Sequence, residues 1–151
     1  QIEGIAWNSD GSRLALTGRG YIQIHDTTTT EWPVITEFDS GYDVTSIAWG
    51  PQDETIVFSG AGGTIFLNTD TWEIEAAHPE GMFYIDWSLD GTRLAGISNG
   101  RIQVWTVDPW QLENEYHSYY VTNVAWSPDS TRLYYSGGPD AMPYVNGELL
   151  K

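Results

Sequence analysis

Apolar residues in this chain come in runs of about five, set off by turn-forming residues. Between residues 83 and 116, "FYIDW" is followed by the turn "SLDG", "TRLAGIS" by "NG", "RIQVW" by "TVDP", and a weaker run "QLENEY" ends the series. Runs of this length, rich in β-branched and aromatic types, predict strands. A two-residue "NG" between two of them predicts a tight hairpin. Helical spacing is absent, so the pattern predicts four short antiparallel strands in succession.

That pattern recurs. The phrases "IEGIAWNSDG", "VTSIAWGPQD", "MFYIDWSLDG" and "VTNVAWSPDS" place Trp7, Trp49, Trp87 and Trp126 at separations of 42, 38 and 39 residues. Other columns keep register. Six residues after each anchor stand Arg13, Thr55, Arg93 and Arg132; Trp32, Trp72 and Trp110 lie further on; and His78 and His117 precede the third and fourth anchors. A period near 40 with four strands per period is the mark of blades arrayed as a β-propeller. The expected fold is therefore all-β, a propeller of four-stranded antiparallel blades, with about three and a half to four blades present. The chain is read as one propeller segment with repeats at 1–42, 43–80, 81–119 and 120–151, part of a larger propeller. It opens on Gln1 rather than Met, which reads as a processed product or a piece of something longer. In the fourth copy Pro143 is expected to interrupt the ladder, with no fourth strand after it. The anchor tryptophans are read as structural, each ring burying about 150–250 Å² against the next blade. The "DG" and "PDS" turns repeat because their Asp bonds back onto the chain.

The phrases "VAWSPDS" and "IAWNSDG" resemble the first strand and turn of the WD-repeat β-propellers, and the resemblance runs through about residue 140. The repeats are degenerate: the third strands read "IQIHD", "TIFLN" and "IQVWT", so Asp26 and Trp105 each keep half of the Trp-Asp pair. His78 and His117 match the family's structural histidine, but its Asp partner is missing from the turns "GRG", "AGG" and "NG". His25 stands in the column where the family often has a buried tryptophan, which implies a packed or locally bonded role. Repeats of this degenerate kind are similar to those of bacterial, often exported, propeller proteins.

Composition and charge narrow the functions. With 21 Asp and Glu against 6 Lys and Arg, the net charge is −15. Such a chain repels phosphate backbones and has no basic stripe, so nucleic-acid binding is not expected. No apolar run approaches the roughly 18 residues of a membrane span, so no membrane insertion is expected. The absence of cysteine excludes disulfides, thiolate metal sites and cysteine nucleophiles. It also favours an extracellular or exported setting slightly over a cytoplasmic one. No catalytic constellation, cofactor site or metal site is evident: there is no phosphate loop, no nucleophile elbow, and no paired His at helical spacing.

The functional candidates are aromatic. The resemblance implies that the loops entering each first strand, with the turns between strands two and three, form a face that binds protein partners. Here that face would carry Tyr42, Met82, Phe83, Tyr119 and Tyr120 beside Arg19 and Arg101, residue types enriched in interface cores. Exposure is expected for Tyr42, Tyr119 and Tyr120. Met82 and Phe83 could equally pack inward at the strand start. Trp32, Trp72 and Trp110, in the turn between strands three and four, are read as rings laid over a neighbouring hairpin; the alternative is a sugar-stacking or self-assembly surface. The expected function is a non-catalytic interaction or assembly scaffold, with a protein partner or self-association. Alternatives are an exported carbohydrate- or peptide-recognition module and a fragment of a propeller hydrolase or lyase. The last is disfavoured because the strand entries "IEG", "VTS", "MFY" and "VTN" are poor in ligands.

Overall fold

A computed structural model describes residues 1–117 and 120–137, and the backbone of strands at 144–145 and 148–149. No helix occurs among the described residues. The chain falls into two units, Gln1–Phe83 and Tyr84–Lys151.

In the first unit, β1 (Ile2–Trp7), β2 (Arg13–Asp26), β3 (Val34–Trp49), β4 (Thr55–Gly60), β5 (Gly63–Asn68) and β6 (Ile74–His78) form one antiparallel sheet in chain order. Two of these strands do double service. Extended throughout, β2 would be more than 40 Å long, at roughly 3.3 Å per residue. Its ends are instead neighbours, since the Thr27 N–H donates to the Ser12 carbonyl at 2.9 Å. The chain reverses at Arg19–Gly20, where Gly20 takes φ +78°. So β2 supplies the middle two strands of the first copy. β3 lies against β2 over Val34–Asp39 and against β4 over Val44–Trp49, closing the first blade and opening the second.

The second unit holds β7 (Phe83–Trp87), β8 (Arg93–Ser98), β9 (Arg101–Thr106) and β10 (Gln111–His117) in one sheet. The "NG" turn is as expected: Ser98 pairs with Arg101, and Asn99 and Gly100 both have positive φ, 49° and 73°. A second sheet holds β11 (Asn123–Trp126), β12 (Arg132–Ser136), β13 (Tyr144–Val145) and β14 (Glu148–Leu149). The fourth copy thus has a fourth strand where none was expected. Pro143 itself lies outside the described residues, but β13 begins at the next position, after the one residue that cannot donate to a ladder. Two residues suffice for each of these strands to pair, too few to show as an apolar run. With four four-stranded antiparallel blades, the chain is an all-β protein of the propeller type.

Packing between blades follows one rule in both units. In the first, Ala15, Ile22 and Ile24 of the first copy bury against Ile47, Trp49, Ile56 and Phe58 of the second. In the second, Ala95, Ile97, Ile102 and Val104 of the third copy bury against Val124 and Leu133 of the fourth, with Trp126 and Tyr135 packed at the side. In both joints small and branched side chains interdigitate with those of the next sheet, as close packing of an interior requires. An arginine crosses each joint at the same repeat position. Arg13 lies over the Trp72 ring and Arg93 over the Trp126 ring, at 5.8 and 5.7 Å from their centroids. In the second unit the Asp86 carboxylate also accepts the Trp126 N–H at 2.7 Å, and burial raises the pKa of this carboxyl.

The first hairpin of three copies is held by one device. Asp10, Asp90 and Asp129 each accept the backbone N–H two residues on, at 2.8, 3.0 and 3.1 Å. The residue after the anchor completes the turn: Asn8, Ser88 or Ser127 accepts the Arg13, Arg93 or Arg132 N–H. The second copy has Gly50 there and no such side chain. Its Asp53 has φ 61° and reaches back to the first copy, accepting the Ser9 N–H at 2.8 Å. Hydrogen bonds from Ser127 and Thr131 hold Asp129 down to about 2. A lowered carboxyl pKa gives stability that is present above the unfolded value, near 3.9, and lost as pH falls through the folded one. Asp129→Ala is therefore expected to lower the melting temperature at pH 6, with most of the difference gone by pH 2. Thermal unfolding of both proteins across that range, followed by circular dichroism, checks it; a difference independent of pH would contradict it.

Candidate functional site

The candidate residues do not share one environment. Met82 is buried, at 0% exposure, and its N–H donates to Ser59 Oγ at 2.8 Å. It packs inward, so it is removed from any partner-binding face. The following residue, Phe83, is 43% exposed. Tyr42, expected on the surface, is half-buried beside Gly62, and its hydroxyl has no hydrogen-bond partner among the described residues. Burial raises the pKa of this phenol. With Phe38, Ile65 and Ile74 it lines a small apolar groove of about 130 Å³, floored by Phe58 and Leu67.

The two arginines differ. Arg19 keeps 71% of its side chain exposed and stands 3.7 Å from Glu3. Arg101 is tied to Glu115 at 2.7 Å, and Gln103 donates to the same carboxylate at 2.8 Å. Glu115 is accordingly held below its ordinary pKa, by the Gln103 bond first and by Arg101 second. Tyr120, at the entry to β11, is 82% exposed and has φ 70°. Tyr119 lies outside the described residues.

The repeat positions also divide. Trp49 is 8% exposed, and its indole N–H donates to the Asp53 carbonyl at 3.3 Å. Trp87 and Trp126 are half-buried, but Trp7 is 47% exposed. The general expectation of a buried anchor thus fails in the first copy, because no described sheet of the first unit covers that face of β1. His78 sets its ring edge-on to Phe66 at 5.8 Å, whereas His117 is exposed on β10. His25 Nδ1 is 2.8 Å from the Trp32 carbonyl oxygen, and its buried Nε2 has no partner among the described residues. Each tryptophan of the second set rests on a neighbour. Trp32 meets Trp7 edge-on at 5.8 Å, Trp72 lies under Arg13 and tilts against Phe38, and Trp110 stacks on Trp105 at 4.8 Å.

Other exposed apolar residues escaped the sequence reading: Ile5 at 60%, Ile74 at 63%, Tyr84 at 51%, Leu89 at 60% and Tyr134 at 47%. Alternation along a strand names the two faces but not which of them a neighbouring sheet covers. Among the described residues no three of His, Asp or Glu come together as a metal cluster.

A model of the "WD domain, G-beta repeat" family matches residues 111–142. The chain is similar to meiotic fizzy-related protein 2 of Schizosaccharomyces pombe, 27% identical over 123 residues, or 76% of this chain and 24% of that protein. It is also similar to the intraflagellar transport protein 80 homologs of Rattus norvegicus and Mus musculus. Each is 26% identical over 129 residues, covering 82% of this chain and 16% of the relative. The chain therefore spans a quarter or less of the length of these curated relatives.

Proposed function

We propose that this chain, whose degenerate WD repeats fold as propeller blades, is a non-catalytic scaffold that binds protein through exposed aromatic residues at the entries to first strands. The observation that carries this reading is Tyr120. A tyrosine that is 82% exposed offers a large, rigid ring with a polar tip at little entropic cost. It does so from a left-handed backbone, φ 70°, that an ordinary residue adopts only at a cost of roughly 1–2 kcal/mol. Such strained, exposed positions recur at binding sites. Names that speak of intraflagellar transport and of a fizzy-related meiotic protein sit easily with work in assemblies. A sugar-binding reading gains less support, because Trp72 and Trp110 each have a ring face already covered by Arg13 or Trp105.

The test is affinity capture from extracts of the source organism on immobilised wild type and on Tyr120→Ala, with the melting temperatures compared first. A protein retained by the wild type is expected to bind the variant at least about 30-fold more weakly, the mark of a hot-spot residue worth about 2 kcal/mol. Retention of the same proteins with equal affinity by both would remove Tyr120 from the interface.

A further inference from the structure

Within each unit one sheet covers the next, the first copy covering the second and the third covering the fourth. Within those units the covered face of the first copy and the covering face of the fourth have no such partner among the described residues. On the covered side, the position two residues before the anchor is 7% exposed at Ile47 and 4% at Val124, but 60% at Ile5. The anchor is 8% exposed at Trp49 and 47% at Trp7. On the covering side, the position eight residues after the anchor is 0% exposed at Ala15, Val57 and Ala95, and 47% at Tyr134. Two residues further along, Thr17 and Ser59 are buried while Ser136 is exposed.

The chemistry of the two free faces matches. Each joint places the arginine six residues after the anchor over a tryptophan of the next copy, either in the outer turn (Trp72) or at the anchor (Trp126). On the fourth copy that arginine is Arg132, which is exposed and has no ion pair or aromatic ring against its guanidinium among the described residues. On the first copy the corresponding rings are Trp32 and Trp7, 45% and 47% exposed. A cation lacking a ring and two rings lacking a cation are complementary charge distributions. We propose that copies of this chain join head to tail, the face of one bearing Tyr134 and Arg132 covering the face of the next that bears Ile5, Trp7 and Trp32.

This contact is heterologous, so it closes into a ring where the rotation between copies allows and otherwise propagates. It also works against a net charge of −15 on each copy. Raising salt shortens the screening length from about 10 Å at 0.1 M to about 3 Å at 1 M and leaves apolar burial in place, so association strengthens with salt.

Light scattering on the size-fractionated chain over a wide concentration range, at 0.1 M and 1 M salt, tests this. The wild type is expected to reach the mass of a dimer or more at the higher salt. Ile5→Asp and Tyr134→Asp each remove one face, and each alone should remain monomeric. Mixed in equal amounts, they keep one intact joint between them and should form a dimer that grows no further. Circular dichroism confirms folding; Trp7→Glu and Arg132→Glu stand in if either first choice fails to fold. A wild type monomeric under all conditions, either variant still associating alone, or a mixture that stays monomeric would each overturn the proposal. None of these outcomes involves Tyr120, so they leave the partner-binding reading to its own test.

Discussion

Trp49→Ala should destabilise the first unit by about 3–5 kcal/mol, the range for emptying a buried aromatic site, whereas Trp7→Ala at the same repeat position should cost about 1 kcal/mol. The two residues occupy equivalent places, and their strand partners correspond: Trp49 pairs with Ile56 and Trp7 with Leu14. What differs is cover. Trp49 is 8% exposed and packed in a core with Ile22, Ile24, Ile47 and Phe58. Its removal forfeits the transfer of the ring from water and leaves a cavity between two sheets, which cannot collapse onto each other without breaking their own ladders. Trp7 is 47% exposed and rests edge-on against Trp32, so its removal loses part of one face and opens no cavity. Urea unfolding followed by circular dichroism, at a dilution where the chain is monomeric, gives both values. Equal costs would mean that the anchor stabilises its own blade and not the joint between blades.

The same comparison marks how far the sequence can be read. The anchors, their spacing and the turn residues follow from local physics, so strands, hairpins and blade count were legible in them. "NG" between two apolar runs leaves the backbone few choices, and Asn99–Gly100 turns as those residues require. Burial is a property of position in the array. Ile5 and Ile47 are the same residue in the same phrase, and nothing within either phrase tells that one is covered and the other bare. Met82 illustrates the converse: a methionine at a strand entry is as apt for an interface as for a core, and the outcome turns on whether Ser59, far along the chain, offers its hydroxyl to the Met82 N–H. The fourth strand of the last copy was missed because two paired residues leave no periodicity to find.

Gly63→Ala is expected to be the most damaging single-methyl addition in the first unit, at about 3 kcal/mol or more. Two costs coincide there. Gly63 has φ +114°, outside the region that residues with a Cβ readily adopt. A Cβ built on it would also stand 2.2 Å from the His78 carbonyl oxygen and 3.3 Å from Pro79 Cα. These are backbone atoms of the paired strand and its exit, so no side-chain rotation relieves the overlap. The chain must move at the point where β5 meets β6. Buried bonds would move with it: Ser59 Oγ donates to the Gly63 carbonyl at 3.1 Å, Thr64 Oγ1 donates to the Glu80 carbonyl at 2.6 Å, and Ser59 Oγ accepts from Met82. Buried hydroxyls that lose a partner cost more than the bond itself contributed. Gly20→Ala is the control. Gly20 also has positive φ, +78°, but open space where its Cβ would be, so it should cost only the roughly 1–2 kcal/mol of left-handed strain. Urea titrations of the two variants separate crowding from backbone strain. If Gly63→Ala costs no more than Gly20→Ala, the segment from Gly63 to Met82 is not the rigid clasp its hydrogen bonds describe, and the burial of Met82 must be sustained by the core alone.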